Sequence, residues 1–192
     1  MKRGKRLLAM LIMVLVASAV QAQPKPATKP AAGAPGDSMV GEMRVETLKG
    51  VTYLHMDTQV TLMTIGPTVE PAVTKLLKML SDAHIAPAGP LMFVYHNATA
   101  NPNKKFTLEI GFPVKEDVEA PAGLTKTKAE PFKCATMLYS GPVAKMGAAY
   151  QQLYTDLFGE GLAPTGVMRD YYLYFEDKES ANNVVLIQVG VQ

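Results

Sequence analysis

The chain has 192 residues, 48% of them hydrophobic, which is enough for a core in one large domain or two small modules. It has no Trp and a single Cys, which excludes an internal disulfide framework, a Cys-based zinc cluster and an Fe–S cluster. The formal charge of +2 comes from the first six residues: without residues 1–22, 15 basic residues face 17 acidic ones, a balance of −2 that argues against a nucleic-acid partner.

Met1–Arg6 carries four basic residues, Leu7–Ala19 is an uncharged apolar run, and Val20-Gln21-Ala22 supplies small residues at an exit site. These are the three parts of a secretory signal peptide with cleavage expected after Ala22. The apolar run is short for a membrane span. The expected location is therefore periplasmic or secreted, with no stable membrane insertion after cleavage. No Cys follows the run, so lipoprotein attachment is not available. Residues 23–40 then read as a Pro/Ala-rich, semi-rigid linker, and the folded part is expected over 41–192.

Within that part the sequence repeats. Ile85-Ala86-Pro87-Ala88-Gly89 matches Leu162-Ala163-Pro164-Thr165-Gly166, at an offset of 77 residues. The same offset pairs Leu76 with Leu153, Leu80 with Leu157, Tyr95 with Tyr172 and Ile110 with Ile187. Shared register at several anchors indicates two copies of one module, about 41–114 and 129–192.

In the first copy, Val51–Met63 is rich in Thr and Val and reads as a strand. Val69, Val73, Leu76, Leu77 and Leu80 follow helical spacing. Pro67 and Pro71 place the helix start at about 68–71, because Pro fits only a first turn. Leu91–His96 is a strand, and Phe106–Val114 is another, with Phe106, Leu108, Ile110 and Phe112 on one face and Glu109 on the other. Lys115–Lys128 reads as a linker. In the second copy, Phe132–Tyr139 is a strand, Val143, Met146, Tyr150, Leu153, Tyr154 and Leu157 form a helix stripe, and Tyr171–Phe175 and Val184–Val191 are strands. The fold class is α+β: two strand–helix–strand–strand modules forming an antiparallel sheet, with helices on one face and a pocket expected on the other.

This pattern resembles the GyrI-like family, the effector-binding domain also attached to AraC-type and MerR-type regulators. The matching segments are Ala86–Pro90, Tyr95 and Leu108–Val114, then Ser140-Gly141-Pro142, Ala149-Tyr150, Leu153-Tyr154, Ala163–Gly166 and Tyr172. The resemblance implies a Tyr-lined pocket between the modules for amphipathic or cationic aromatic small molecules, anchored by a carboxylate that many members carry on the final strand. That position reads as Leu186 here, whereas the repeat-related position holds Glu109. Some members resemble hydrolases of strained small rings that use the pocket Glu.

The expected ligand-binding residues are Glu109 as counter-charge, Tyr95, Tyr172 and Tyr174 as walls, and Gln188 and Leu186 on the final strand. Asp170 and Tyr174 share a face with Tyr172 by alternation. No catalytic residue and no cofactor is assigned. His55, His84 and His96 show no metal-ligand spacing, so no metal site is expected. Cys134, in an alternating strand, reads as a buried inert thiol. The first functional reading is a periplasmic or secreted small-molecule-binding protein. The second is a hydrolase with Glu109 as general acid/base. The third is an envelope interaction protein whose pocket is filled.

Overall fold

The computed structural model describes residues 38–192; the expected signal peptide and nearly all of the expected linker lie outside the described residues. Short strands β1 (Met39–Val40) and β2 (Arg44–Leu48) lead into β3 (Thr52–Val60), helix α1 (Ile65–Asp82), β4 (Leu91–His96) and β5 (Phe106–Pro113). After β6 (Thr125–Lys128) the second module follows: β7 (Phe132–Ser140), a single 3-10 turn, helix α2 (Met146–Gly159), β8 (Pro164–Tyr174) and β9 (Val184–Val191). Among the described residues no helix is long and apolar enough to cross a membrane.

All nine strands of the described residues join one antiparallel sheet in the order β1-β7-β9-β8-β4-β5-β3-β6, with β2 also on β7. The two modules are therefore laid out as mirror-ordered triplets, β3-β5-β4 and β8-β9-β7, and they meet where β4 pairs β8. Both helices cover the same face. Leu76 and Leu80 of α1 pack on Leu54, Phe93, Leu108 and Ile110, and Leu153 and Leu157 of α2 pack on Met137, Tyr139, Val185 and Ile187. Each such leucine is fully or almost fully buried and contributes about 1.5–3 kcal/mol through apolar burial. Met168 and Tyr172 on β8 touch both cores and stitch them together.

The repeat is visible at atomic detail where the helices end. His84 (φ 55°) and Gly161 (φ 71°), 77 residues apart, are both left-handed. Each is followed by a backbone bond reaching back into the helix, Ile85 N–H to Leu80 O at 2.9 Å and Leu162 N–H to Leu157 O at 3.1 Å. This is the Schellman ending, in which a left-handed residue lets the chain satisfy the last carbonyls.

Three local expectations are corrected. Helix α1 starts at Ile65, not at 68–71, and Pro71 lies inside it. Pro67 and Pro71 both face solvent, so water can take the Pro67 carbonyl that a Pro71 N–H would otherwise bond. The expected linker 115–128 ends in an edge strand: Thr125–Lys128 pairs with Thr52–His55 of β3. Its sequence, TKTK, has no apolar alternation to betray it because an edge strand can keep both sides polar. Likewise Met39 and Val40, assigned to the linker, pair with Ser140 and Tyr139.

Candidate functional site

The register of the sheet puts two rows of residues, one on each face, across the junction of the modules. The row facing the helices reads Met56, Ile110, Phe93, Asp170, Ile187, Met137. Asp170 is its one polar member, and its repeat-related partner is Phe93. The neighbouring row on the uncovered face reads Asp57, Glu109, Val94, Arg169, Gln188, Thr136.

Under the helices, Asp170 has no exposed surface. The Tyr95 hydroxyl donates to one carboxylate oxygen at 2.7 Å, and the Tyr150 hydroxyl, from α2, donates to the other at 2.6 Å. Among the described residues no Lys, Arg or His lies within salt-bridge distance of it. Burial pushes its carboxyl up to about 6, against the downward pull of the Tyr150 and Tyr95 hydrogen bonds. Burial and then the Asp170 charge push the Tyr95 hydroxyl well above its ordinary range, and Tyr150 and Tyr172 move the same way for the same reasons. At neutral pH the cluster is thus an anion held by two neutral phenols. Aromatic rings wall it: Tyr172 lies 4.9 Å from Phe93, and Tyr95 lies 6.1 Å from Phe106, centroid to centroid. Tyr150 and Tyr172 are only half-buried, so their outer edges reach solvent while the carboxylate beneath them is sealed.

The uncovered face carries a different set. The Tyr53 hydroxyl donates to Glu109 Oε2 at 2.5 Å, and His96 Nε2 lies 2.7 Å from Glu109 Oε1. Beside them, His55 Nδ1 is 2.7 Å from Asp57 Oδ1, and His55 Nε2 is 2.8 Å from Thr127 Oγ1 on β6. In the second module the Arg169 guanidinium lies 3.9 Å from the centre of the Phe132 ring, a cation–π contact.

The six residues singled out in sequence therefore separate. Tyr95 and Tyr172 join Asp170 under the helices. Glu109 lies on the opposite face with His96 and Tyr53, because alternation along β4 and β5 sends Tyr95 and Glu109 to different sides. Gln188 is buried on the uncovered face beside Arg169, with its Oε1 and Arg169 Nε lacking a hydrogen-bond partner among the described residues, and Leu186 is half-buried two residues earlier on the same strand. A register shift between Tyr172 and Tyr174 takes Tyr174 out of alternation, and its exposed hydroxyl donates to Glu176 at 2.9 Å. The aromatic–carboxylate cluster thus forms beneath the helices, not on the uncovered face where a pocket was expected. Cys134 is fully buried, with its thiol pushed up to about 11 by burial and by nearby Glu46.

Tyr150 and the central role of Asp170 were not singled out in sequence. Their signal was present: Asp170 is an acid at a repeat position that holds Phe in the other module.

Two strand–helix–strand–strand modules sharing one sheet, with a carboxylate buried among tyrosines at their junction, define a tandem-module α+β domain. The chain belongs to the GyrI-like small molecule binding domain family, whose model matches residues 41–192. No curated protein sequence matches it. Among solved structures it is similar to the C-terminal domain of EcmrR, at a TM-score of 0.67 and 15% identity, covering 80% of this chain and 99% of that domain. Against EcmrR in its complex with DNA the TM-score is 0.65 at 14% identity, and the match covers 79% of this chain but only 57% of the EcmrR chain. A third similar structure is SAV2435 bound to tetraphenylphosphonium, at a TM-score of 0.58 and 10% identity, covering 79% of this chain and 94% of that one. An uncharacterized conserved protein from Listeria innocua matches at a TM-score of 0.61 and 12% identity, covering 79% of this chain and 92% of the other.

Proposed function

We propose that the protein binds amphipathic organic cations at the junction of its two modules, with Asp170 as counter-charge and Tyr95, Tyr150 and Tyr172 as the aromatic walls. The observation that carries this reading is a fully buried carboxylate that, among the described residues, meets only hydroxyl donors. A buried anion without a cation is costly, and a cationic ligand recovers that cost on binding. Tyrosine faces also attract cations through the ring quadrupole. Entry requires the half-buried Tyr150 and Tyr172 to swing outward, which couples binding to a small separation of α2 from the sheet. The tetraphenylphosphonium held by one structural neighbour is a cation of this type. The N-terminal basic–apolar–small pattern supports a location for this binding outside the cytoplasm, as a periplasmic or secreted sequestering or sensing protein.

The test compares tetraphenylphosphonium with tetraphenylborate, which has the same shape and the opposite charge. Calorimetry is expected to show saturable binding of the cation alone, lost in Asp170→Asn and retained in Glu109→Gln. Equal affinity for both ions, or full retention in Asp170→Asn, would overturn the reading.

A further inference from the structure

The uncovered face of the first module holds a second group of ionisable side chains that cation binding under the helices does not use. His55 and Asp57 come from β3, Glu109 from β5 and His96 from β4. No spacing rule in the sequence joins them. The sheet does, because Asp57 and Glu109 are direct cross-strand partners and His55 stands opposite Gly111 on the same strand pair.

The geometry is close to that of a coordination site. One ligand atom from each of His55, Asp57 and Glu109 lies within 4.8 Å of the other two. A tetrahedral cation with bonds of about 2.0–2.1 Å needs its ligand atoms roughly 3.3 Å apart. Small side-chain rotations therefore suffice. His55 is held for the purpose. Its ring is buried, Nε2 is tied to Thr127, and Nδ1 points at Asp57. A metal-bound imidazole characteristically has its other nitrogen anchored by a hydrogen bond, which fixes the ring and its tautomer. Gly111 lets β5 approach β3 closely at His55: a Cβ there would come within 2.8 Å of the His55 Cβ and 2.6 Å of the Leu54 carbonyl oxygen. Glu109 is oriented from both sides, by Tyr53 and His96.

Charge points the same way. Like charges directly opposite each other on neighbouring strands are destabilising. Among the described residues, neither Asp57 nor Glu109 forms a salt bridge with Lys or Arg; their ion-pair partners are His55 and His96. A divalent cation between the two carboxylates would neutralise both. One imidazole and two carboxylates suit zinc, and disfavour magnesium or calcium, which prefer oxygen alone.

We propose that His55, Asp57 and Glu109 form a three-ligand site for a zinc-class divalent cation, with His96 as a positioning residue for Glu109. The Asp57 side chain is 56% exposed, so the fourth coordination position opens to solvent, as in zinc sites that bind water or a ligand. The site is on the opposite side of the sheet from Asp170 and stands independently of the cation-binding reading.

The full chain is titrated with Zn2+ by calorimetry and with Co2+ by visible absorption. One equivalent of Zn2+ is expected to bind, and bound Co2+ is expected to show the intense absorption of a four-coordinate ion. Asp57→Asn changes an exposed side chain and leaves folding intact; it and Glu109→Gln are each expected to weaken Zn2+ at least about tenfold. His96→Gln is expected to lower affinity about 10- to 100-fold while keeping the four-coordinate Co2+ spectrum, the signature of a residue that orients a ligand without being one. His84→Asn, on the exposed end of α1, is expected to change nothing. No stoichiometric Zn2+ binding, or affinity unchanged in both Asp57→Asn and Glu109→Gln, would overturn the site.

Discussion

The two faces of the central sheet treat carboxylates in opposite ways. Under the helices, Asp170 stands alone in an apolar row, sealed from water and held by two phenols. On the uncovered face, Asp57 and Glu109 stand side by side among histidines, within reach of solvent. Adjacent register rows thus carry acids with different physics. Burial dominates the first and raises its pKa; charge crowding dominates the second. A lone buried anion favours a large, weakly hydrated organic cation, because aromatic walls replace the water that both partners lose. Clustered, accessible carboxylates with an imidazole favour a small metal cation that is coordinated directly.

The largest difference between the faces is expected in packing. Leu153→Ala removes a fully buried side chain beneath α2 and should cost about 2–5 kcal/mol. Leu138→Ala, on the uncovered face and 45% exposed, should cost less than about 1 kcal/mol. Urea denaturation of both variants checks the contrast, and similar losses would mean that the uncovered face is also packed against something in solution.

Asp170→Asn should come next. The buried carboxyl titrates at about 6, against about 3.9 in an unfolded chain. Well below pH 4 the group is neutral in both states, and parent and variant should be about equally stable. As pH rises from about 4 to 6 the unfolded chain releases its proton first, so the parent loses stability relative to the variant. Above pH 6 the gap should approach roughly 3 kcal/mol, with the variant the more stable protein. Denaturation midpoints of both proteins at pH 4 and pH 8 measure this. A gap that does not widen with pH would mean that Asp170 is not carried as a buried charge.

The smallest effect concerns the two helix ends. His84 adopts the left-handed conformation that Gly161 adopts in the other module. His84→Gly relieves the Cβ contact at that position and should stabilise by about 0.5–1 kcal/mol, partly offset by the greater freedom of glycine in the unfolded chain. Gly161→Ala should destabilise by a similar amount, and thermal unfolding of the pair tests whether the modules end their helices equivalently.

Periodicity and the offset of 77 were enough to read the two modules, the main strands and the helix stripes, because a core face imposes its period on the chain that covers it. Edge strands left little trace. Thr125–Lys128 and Arg44–Leu48 carry mostly polar residues, since one side of an edge has nothing apolar to meet. Pro71 misled the helix start because its cost depends on whether the orphaned carbonyl reaches water, which is a property of the folded surface. The tyrosines at 95 and 172 were legible through the repeat. Their carboxylate partner was not: choosing between Asp170 and Glu109 depends on which side of the sheet the helices take.

What this sequence determined alone is its module order, its alternation and the apolar faces that bury themselves. What only the tertiary structure decided is which charges become neighbours. Antiparallel register brought Asp57 to Glu109 across 52 residues of chain, and β4–β8 pairing brought Tyr95 to Asp170 across 75. Local propensity acts over a few residues, whereas electrostatic and coordination chemistry acts over a few ångströms, and the sheet is what converts one distance into the other.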